Sequence, residues 1–119
     1  MRPLDKILNR IETYRDLMID TQIKLCSLPA ISPENGGEGE AAKADVLLEF
    51  LRSTGFEDID VIRAPDLDAP SGYRPNILAT YKGEETSKTT WIMTHMDVVP
   101  PGEISLWRGN PFNAWVEEG

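Results

Sequence analysis

Two residues have the types and spacing to do chemistry: His95, the single histidine of the chain, and Asp97, two positions later. A neutral imidazole is a good metal ligand, and a carboxylate beside it can fix its tautomer and raise its basicity. The pair lies in an apolar, β-branched run that begins at Trp91 and ends at Val99. Such a run reads as a strand, here over residues 89–96, ending near Asp97. Side chains two apart on a strand point the same way. His95 and Asp97 therefore project together at a strand end, where open α/β sheets carry their sites. Pro100 and Pro101 stop the strand, because neither can donate to a ladder. The bare pair fits two descriptions, a metal ligand with its orienting acid or a strand-end histidine held by a local acid. Taken alone it favours the second.

The elements that must position this pair are legible from periodicity. Leu4, Ile7, Leu8 and Ile11 follow helical spacing, and Tyr14 and Met18 continue the stripe. One amphipathic helix is expected over residues 3–27, with Pro3 in its first turn and a break near Asp20, where Thr21 can cap a second segment. The stripe is expected to be core, and so is the thiol of Cys26. Pro29 ends the helix, and residues 28–39 form a loop rich in turn formers. Glu34, Glu38 and Glu40 read as solvated, the last two near a helix N-terminus that favours negative charge. A second helix is predicted over residues 40–54, with Gly55 as its stop and Phe56 folding back on its end.

Alternation then predicts strands at residues 58–64 and 76–82, antiparallel neighbours or close to it. Between them Asp66 and Asp68 read as part of a solvated turn, since the rest of an EF-hand pattern is missing. Residues 83–89 form a polar turn, 102–113 a loop around Trp107, and 112–116 a short fourth strand. The fold class is α/β: two helices packed on a mixed sheet of three to four strands.

Length and composition narrow the function classes. A chain of 119 residues is one domain's worth or less. Apolar and charged fractions of 40% and 27% are those of a soluble globular protein. A net charge of −8 repels phosphate backbones, so nucleic acid is excluded as a partner. One cysteine permits no intramolecular disulfide. Charges scattered through the N-terminus argue against a leader or a membrane span and for the cytoplasm.

A longer string bears on the choice between the two descriptions of the pair. His95-Met96-Asp97-Val98-Val99-Pro100-Pro101-Gly102, followed by Trp107 and by Asn110-Pro111-Phe112, resembles peptidase family M20. Its members similar to this chain include acetylornithine deacetylases and succinyl-diaminopimelate desuccinylases. Three pieces fit in the same order: Leu28-Pro29-Ala30-Ile31-Ser32-Pro33, Gly39-Glu40, and Arg74-Pro75-Asn76-Ile77-Leu78-Ala79. The resemblance covers nearly the whole chain but only the beginning of the family's pattern. It implies that residues 1–119 are the N-terminal part of a three-layer, zinc-peptidase-like catalytic domain, with the rest of that domain and a dimerisation domain absent.

The same resemblance implies roles. His95 corresponds to the family's first metal ligand and Asp97 to its active-site aspartate. Two zinc ions, with cobalt as an alternative, share a bridging aspartate, and neighbouring glutamates supply the general base and a further ligand. The reaction implied is amide hydrolysis of an N-acyl amino acid, by a deacetylase or desuccinylase of amino-acid biosynthesis, or of a terminal peptide bond, in a homo-oligomer. The remaining ligands fall past Gly119 in the family's order. The chain alone is therefore expected to bind zinc weakly and to be inactive. Glu84-Glu85 is not the family's glutamate pair, because it precedes the motif instead of following it. The competing description is a non-enzymatic interaction module of the same fold, binding through its acidic surface or a sheet edge. A mononuclear metal-binding protein fails on ligand supply.

Overall fold

A helix persists until its last carbonyls find other donors, and the first helical stretch meets such a place early. The computed structural model describes residues 2–118. It divides the expected helix into α1, Pro3–Glu12, and α2, Arg15–Cys26. The break falls at Thr13-Tyr14 and not at Asp20. The Thr13 hydroxyl donates to the Arg10 carbonyl at 2.7 Å, and the Tyr14 amide closes on Ile11 at 2.9 Å. These three-residue closures tighten the turn and end α1. Thr21 does not cap; its hydroxyl bonds back to the Leu17 carbonyl at 2.7 Å, which keeps it inside α2.

The apolar stripe of α1 does not enter the core. Leu4 and Ile7 are each 57% exposed, and α1 has no buried residue. Spacing decides which residues share a face, but burial needs a second surface to face it. Cys26 is half-buried, and the Gln22 side-chain amide donates to its sulfur at 3.1 Å.

α3, Ala41–Ser53, follows the loop and buries Ala44 and Leu48. Gly55 stops it with φ of +90°, a left-handed conformation that glycine adopts without a Cβ penalty. The Phe56 amide returns to the Leu51 carbonyl at 3.2 Å, and its ring meets Tyr81 edge-on at 5.8 Å. The chain then forms a hairpin of β1, Asp58–Pro65, and β2, Tyr73–Thr80, antiparallel with Val61 opposite Ile77. α2 packs on α3, and α3 packs on β2.

The α/β class holds, with three α-helices and two strands among the described residues where two helices and three or four strands were expected. Residues 89–97 join no ladder, and neither do residues 112–116. A strand is defined by the neighbour it bonds to, and β1 and β2 pair with each other. The motif segment makes one parallel bridge, from Val98 to Ile31 in the loop before α3.

Glu40 corrects the expectation of a solvated acid. It is 5% exposed, and the Arg74 guanidinium donates to both of its carboxylate oxygens. Asp66 adds a second carboxylate to Arg74 at 3.6 Å, so it is not a free turn residue. Asp66 Oδ1 also accepts the Asp68 amide at 3.0 Å. The two carboxylates hold the arginine above its ordinary pKa, Glu40 contributing most through its hydrogen bonds. This group ties the start of α3 to the start of β2.

The loop between α2 and α3 is built around a close approach. A Cβ on Gly37 would sit 2.1 Å from the Ile31 carbonyl oxygen. Gly37→Ala must therefore displace the backbone that bridges Val98. The expected cost is about 1–3 kcal/mol, the range for overpacking. Urea unfolding measures it, and faster hydrogen exchange at the Val98 amide should accompany it. An unchanged midpoint and unchanged exchange would show that the loop gives way freely.

Candidate functional site

The motif segment is held from two sides at the point where it carries its polar residues. The Val98 amide donates to the Ala30 carbonyl at 3.0 Å, and Ala30 is fully buried. The Lys43 ammonium, from the first turn of α3, donates to the Met96 carbonyl at 3.2 Å. On either side of Asp97 the backbone is thus tied to a different element.

His95 and Asp97 meet. His95 Nδ1 lies 2.9 Å from the Asp97 carbonyl oxygen and 3.1 Å from its carboxylate Oδ1. Both partners are acceptors, so this geometry assigns the neutral ring its proton on Nδ1. Nε2 then carries the lone pair, and it has no partner among the described residues. The two side chains are 82% and 55% exposed. Their proximity follows from the spacing of two, although no ladder forms there.

An open groove of about 680 Å³ runs beside the pair. Cys26, Leu47, Val99, Trp107 and Phe112 line it, and Lys43 is the cation of its wall. The Trp107 indole donates to the Pro101 carbonyl at 2.9 Å, which fixes the loop after the motif. Further on, Arg108 makes two hydrogen bonds to Glu117, at 3.0 and 2.7 Å. Glu117 is therefore engaged; Gly119 lies outside the described residues.

Glu84 and Glu85 belong to a turn. Glu85 accepts the Ser87 amide at 2.9 Å, and that hydrogen bond holds its carboxyl below the usual range. Lys43 is the residue that sequence reasoning passed over. Its signal was a cation in a first helical turn, where the helix dipole disfavours positive charge.

A catalytic metal site uses about three protein ligands. Among the described residues no group of three or more histidines, cysteines and acids is placed to hold a metal. The donors present fit one position of a metal centre and not a complete one.

Comparison with known proteins decides the family. The chain is 30% identical over 113 residues to an uncharacterised metallohydrolase of Methanococcus maripaludis, which spans 92% of this chain and 27% of that protein. Against a succinyl-diaminopimelate desuccinylase of Novosphingobium aromaticivorans it is 35% identical over 91 residues, 76% of this chain and 22% of the relative. The chain belongs to the M20 metallohydrolase family. A metallohydrolase of Methanocaldococcus jannaschii, 33% identical over 111 residues, agrees, covering 86% of this chain and 27% of the relative. This M20 chain spans about a quarter of the length of the curated relatives it matches. No family model and no solved structure matches it. No helix among the described residues is long and apolar enough to cross a membrane.

Proposed function

We propose that residues 1–119 form the N-terminal part of the catalytic domain of a metal-dependent amide hydrolase and contribute one metal ligand, His95, with Asp97 as the active-site carboxylate that orients it. The observation that carries this reading is the His95–Asp97 contact, which holds Nδ1 and leaves Nε2 open. A ligating imidazole typically donates its other ring N–H to a carboxylate or carbonyl. The named activities of the relatives support an N-acyl amino acid or a terminal peptide bond as substrate. Zinc suits an imidazole nitrogen, and cobalt is an alternative.

The residues present have defined tasks. Asp97 sets the tautomer and the direction of the ring. The Ala30 and Lys43 contacts keep the backbone around Asp97 in place. Trp107, Phe112 and Leu47 offer an apolar wall beside the pair. Residues in the remaining three quarters of the family's length would complete the metal centre and supply the general base. A homo-oligomer in the cytoplasm belongs to the same proposal.

The test is made on the protein expressed at the length of its relatives, with zinc or cobalt added and N-acetyl and N-succinyl amino acids as substrates. Hydrolysis with bound metal is expected. In that protein Asp97→Asn should lower turnover by roughly 10–100-fold, the usual loss for a group that orients a metal-bound histidine. A much larger loss would give Asp97 a direct part in the reaction. No loss would remove it from the site.

A further inference from the structure

The imidazole of His95 is largely exposed, and packing does not hold it. Its direction depends on Asp97, which approaches Nδ1 with both its carbonyl and its carboxylate. That double approach depends in turn on the peptide group between Met96 and Asp97. The group is planar, so turning the Met96 carbonyl also turns the Asp97 amide and everything attached beyond it. A ladder on both sides of a strand would normally fix such a plane. Residues 89–97 have no ladder among the described residues.

One side chain does reach the plane. Lys43 Nζ donates to the Met96 carbonyl at 3.2 Å, across 53 positions of sequence, and the contact is partly buried. No other side chain from outside the segment bonds to the backbone of residues 91–99 among the described residues. Lys43 pays a small helix-dipole cost to sit in the first turn of α3, between Ala42 and the buried Ala44. Its place is accounted for by what it reaches.

We propose that Lys43 is a positioning residue: its ammonium fixes the Met96 carbonyl, and this keeps Asp97 against His95 Nδ1 and Nε2 directed outward. The proposal rests on the reading of His95 as a metal ligand for its importance, but its geometry can be tested without a metal. The chain has a single histidine, so the ring nitrogen shifts of the metal-free chain report His95 alone. At a pH where the ring is neutral, the Nδ1–H tautomer should predominate. Lys43→Met keeps an unbranched apolar stem, one atom shorter, and removes the donor. Lys43→Gln is polar but one bond too short to reach. Both should lower the ratio of the Nδ1–H to the Nε2–H tautomer several-fold, and Lys43→Arg, which restores a cationic donor, should recover it. A purely structural lysine would change the unfolding midpoint and leave the tautomer ratio of the folded fraction alone.

The second readout is zinc affinity in the protein at the length of its relatives. Lys43→Met is expected to weaken zinc by about tenfold, at the low end of the 10–100-fold range for groups that orient a ligand. An unchanged tautomer ratio in both Lys43→Met and Lys43→Gln overturns the positioning role, whatever happens to the site. Full zinc affinity in His95→Ala overturns the ligand reading instead, and leaves the tautomer result standing.

Discussion

His95→Ala, made in the protein at the length of its relatives, should release bound metal and reduce amide hydrolysis to background. The loss should exceed the roughly 10–100-fold expected of Asp97→Asn, because a ligand is removed and not merely misdirected. A catalytic centre with about three protein ligands cannot lose one and keep its geometry. In the 119-residue chain His95 is 82% exposed, so there alanine leaves no cavity and the fold should survive. That separates a metal defect from an unfolding defect: the stability of the 119-residue chain should stay within about 0.5 kcal/mol, as for ordinary surface substitutions. Metal content by atomic absorption and turnover measured together decide the matter. Glu85→Gln is the control, since Glu85 is engaged in a local turn with Ser87, and its turnover should match the parent protein. If His95→Ala keeps its metal and its turnover, the motif is misplaced on this segment, and the proposed function goes with it.

The largest stability effect should come from Glu40. Glu40→Gln leaves Arg74 without its nearest carboxylate charge beside α3. Breaking a buried pair by removing one partner costs about 3–5 kcal/mol, because the other charge stays uncompensated. Arg74 keeps 27% of its side-chain surface in water and retains Asp66 at 3.6 Å, so a value near 3 kcal/mol is expected. Small domains have only about 5–15 kcal/mol in all, so this is a large share. The exposed pair of Arg2 and Asp5 provides the contrast: with side chains 81% and 34% exposed, Asp5→Asn should cost under about 1 kcal/mol. Urea unfolding of both variants checks the difference. A Glu40→Gln cost no larger than that of Asp5→Asn would mean that the ion pair contributes little to holding α3 on β2. Replacing Glu40 and Arg74 together by apolar residues should recover part of the loss, since no unpaired charge then remains.

Local periodicity carried much of the architecture. α3 ends at Gly55 because a left-handed residue there satisfies the last carbonyls, and glycine at that place can be read directly. The β1–β2 hairpin follows from alternation in Ile59 and Val61 against Asp60 and Ile62. The meeting of His95 and Asp97 needs only a separation of two, and it persists although the strand does not. Each of these depends on residues within a few positions of one another, so the chain itself supplies both partners.

What only the tertiary structure decided are pairings between distant partners. Glu40 and Arg74 are 34 positions apart, and nothing near Glu40 marks it as buried. Lys43 and Met96 are 53 apart, and the acceptor is a backbone carbonyl, which every residue has. The stripe of α1 has core spacing but no surface over it, and residues 89–97 have strand composition but no ladder. Amphipathic spacing and β-branched composition state what a segment can bury or bond. Whether it does so depends on a neighbour brought alongside by the fold, and the identity of that neighbour is not encoded in the segment.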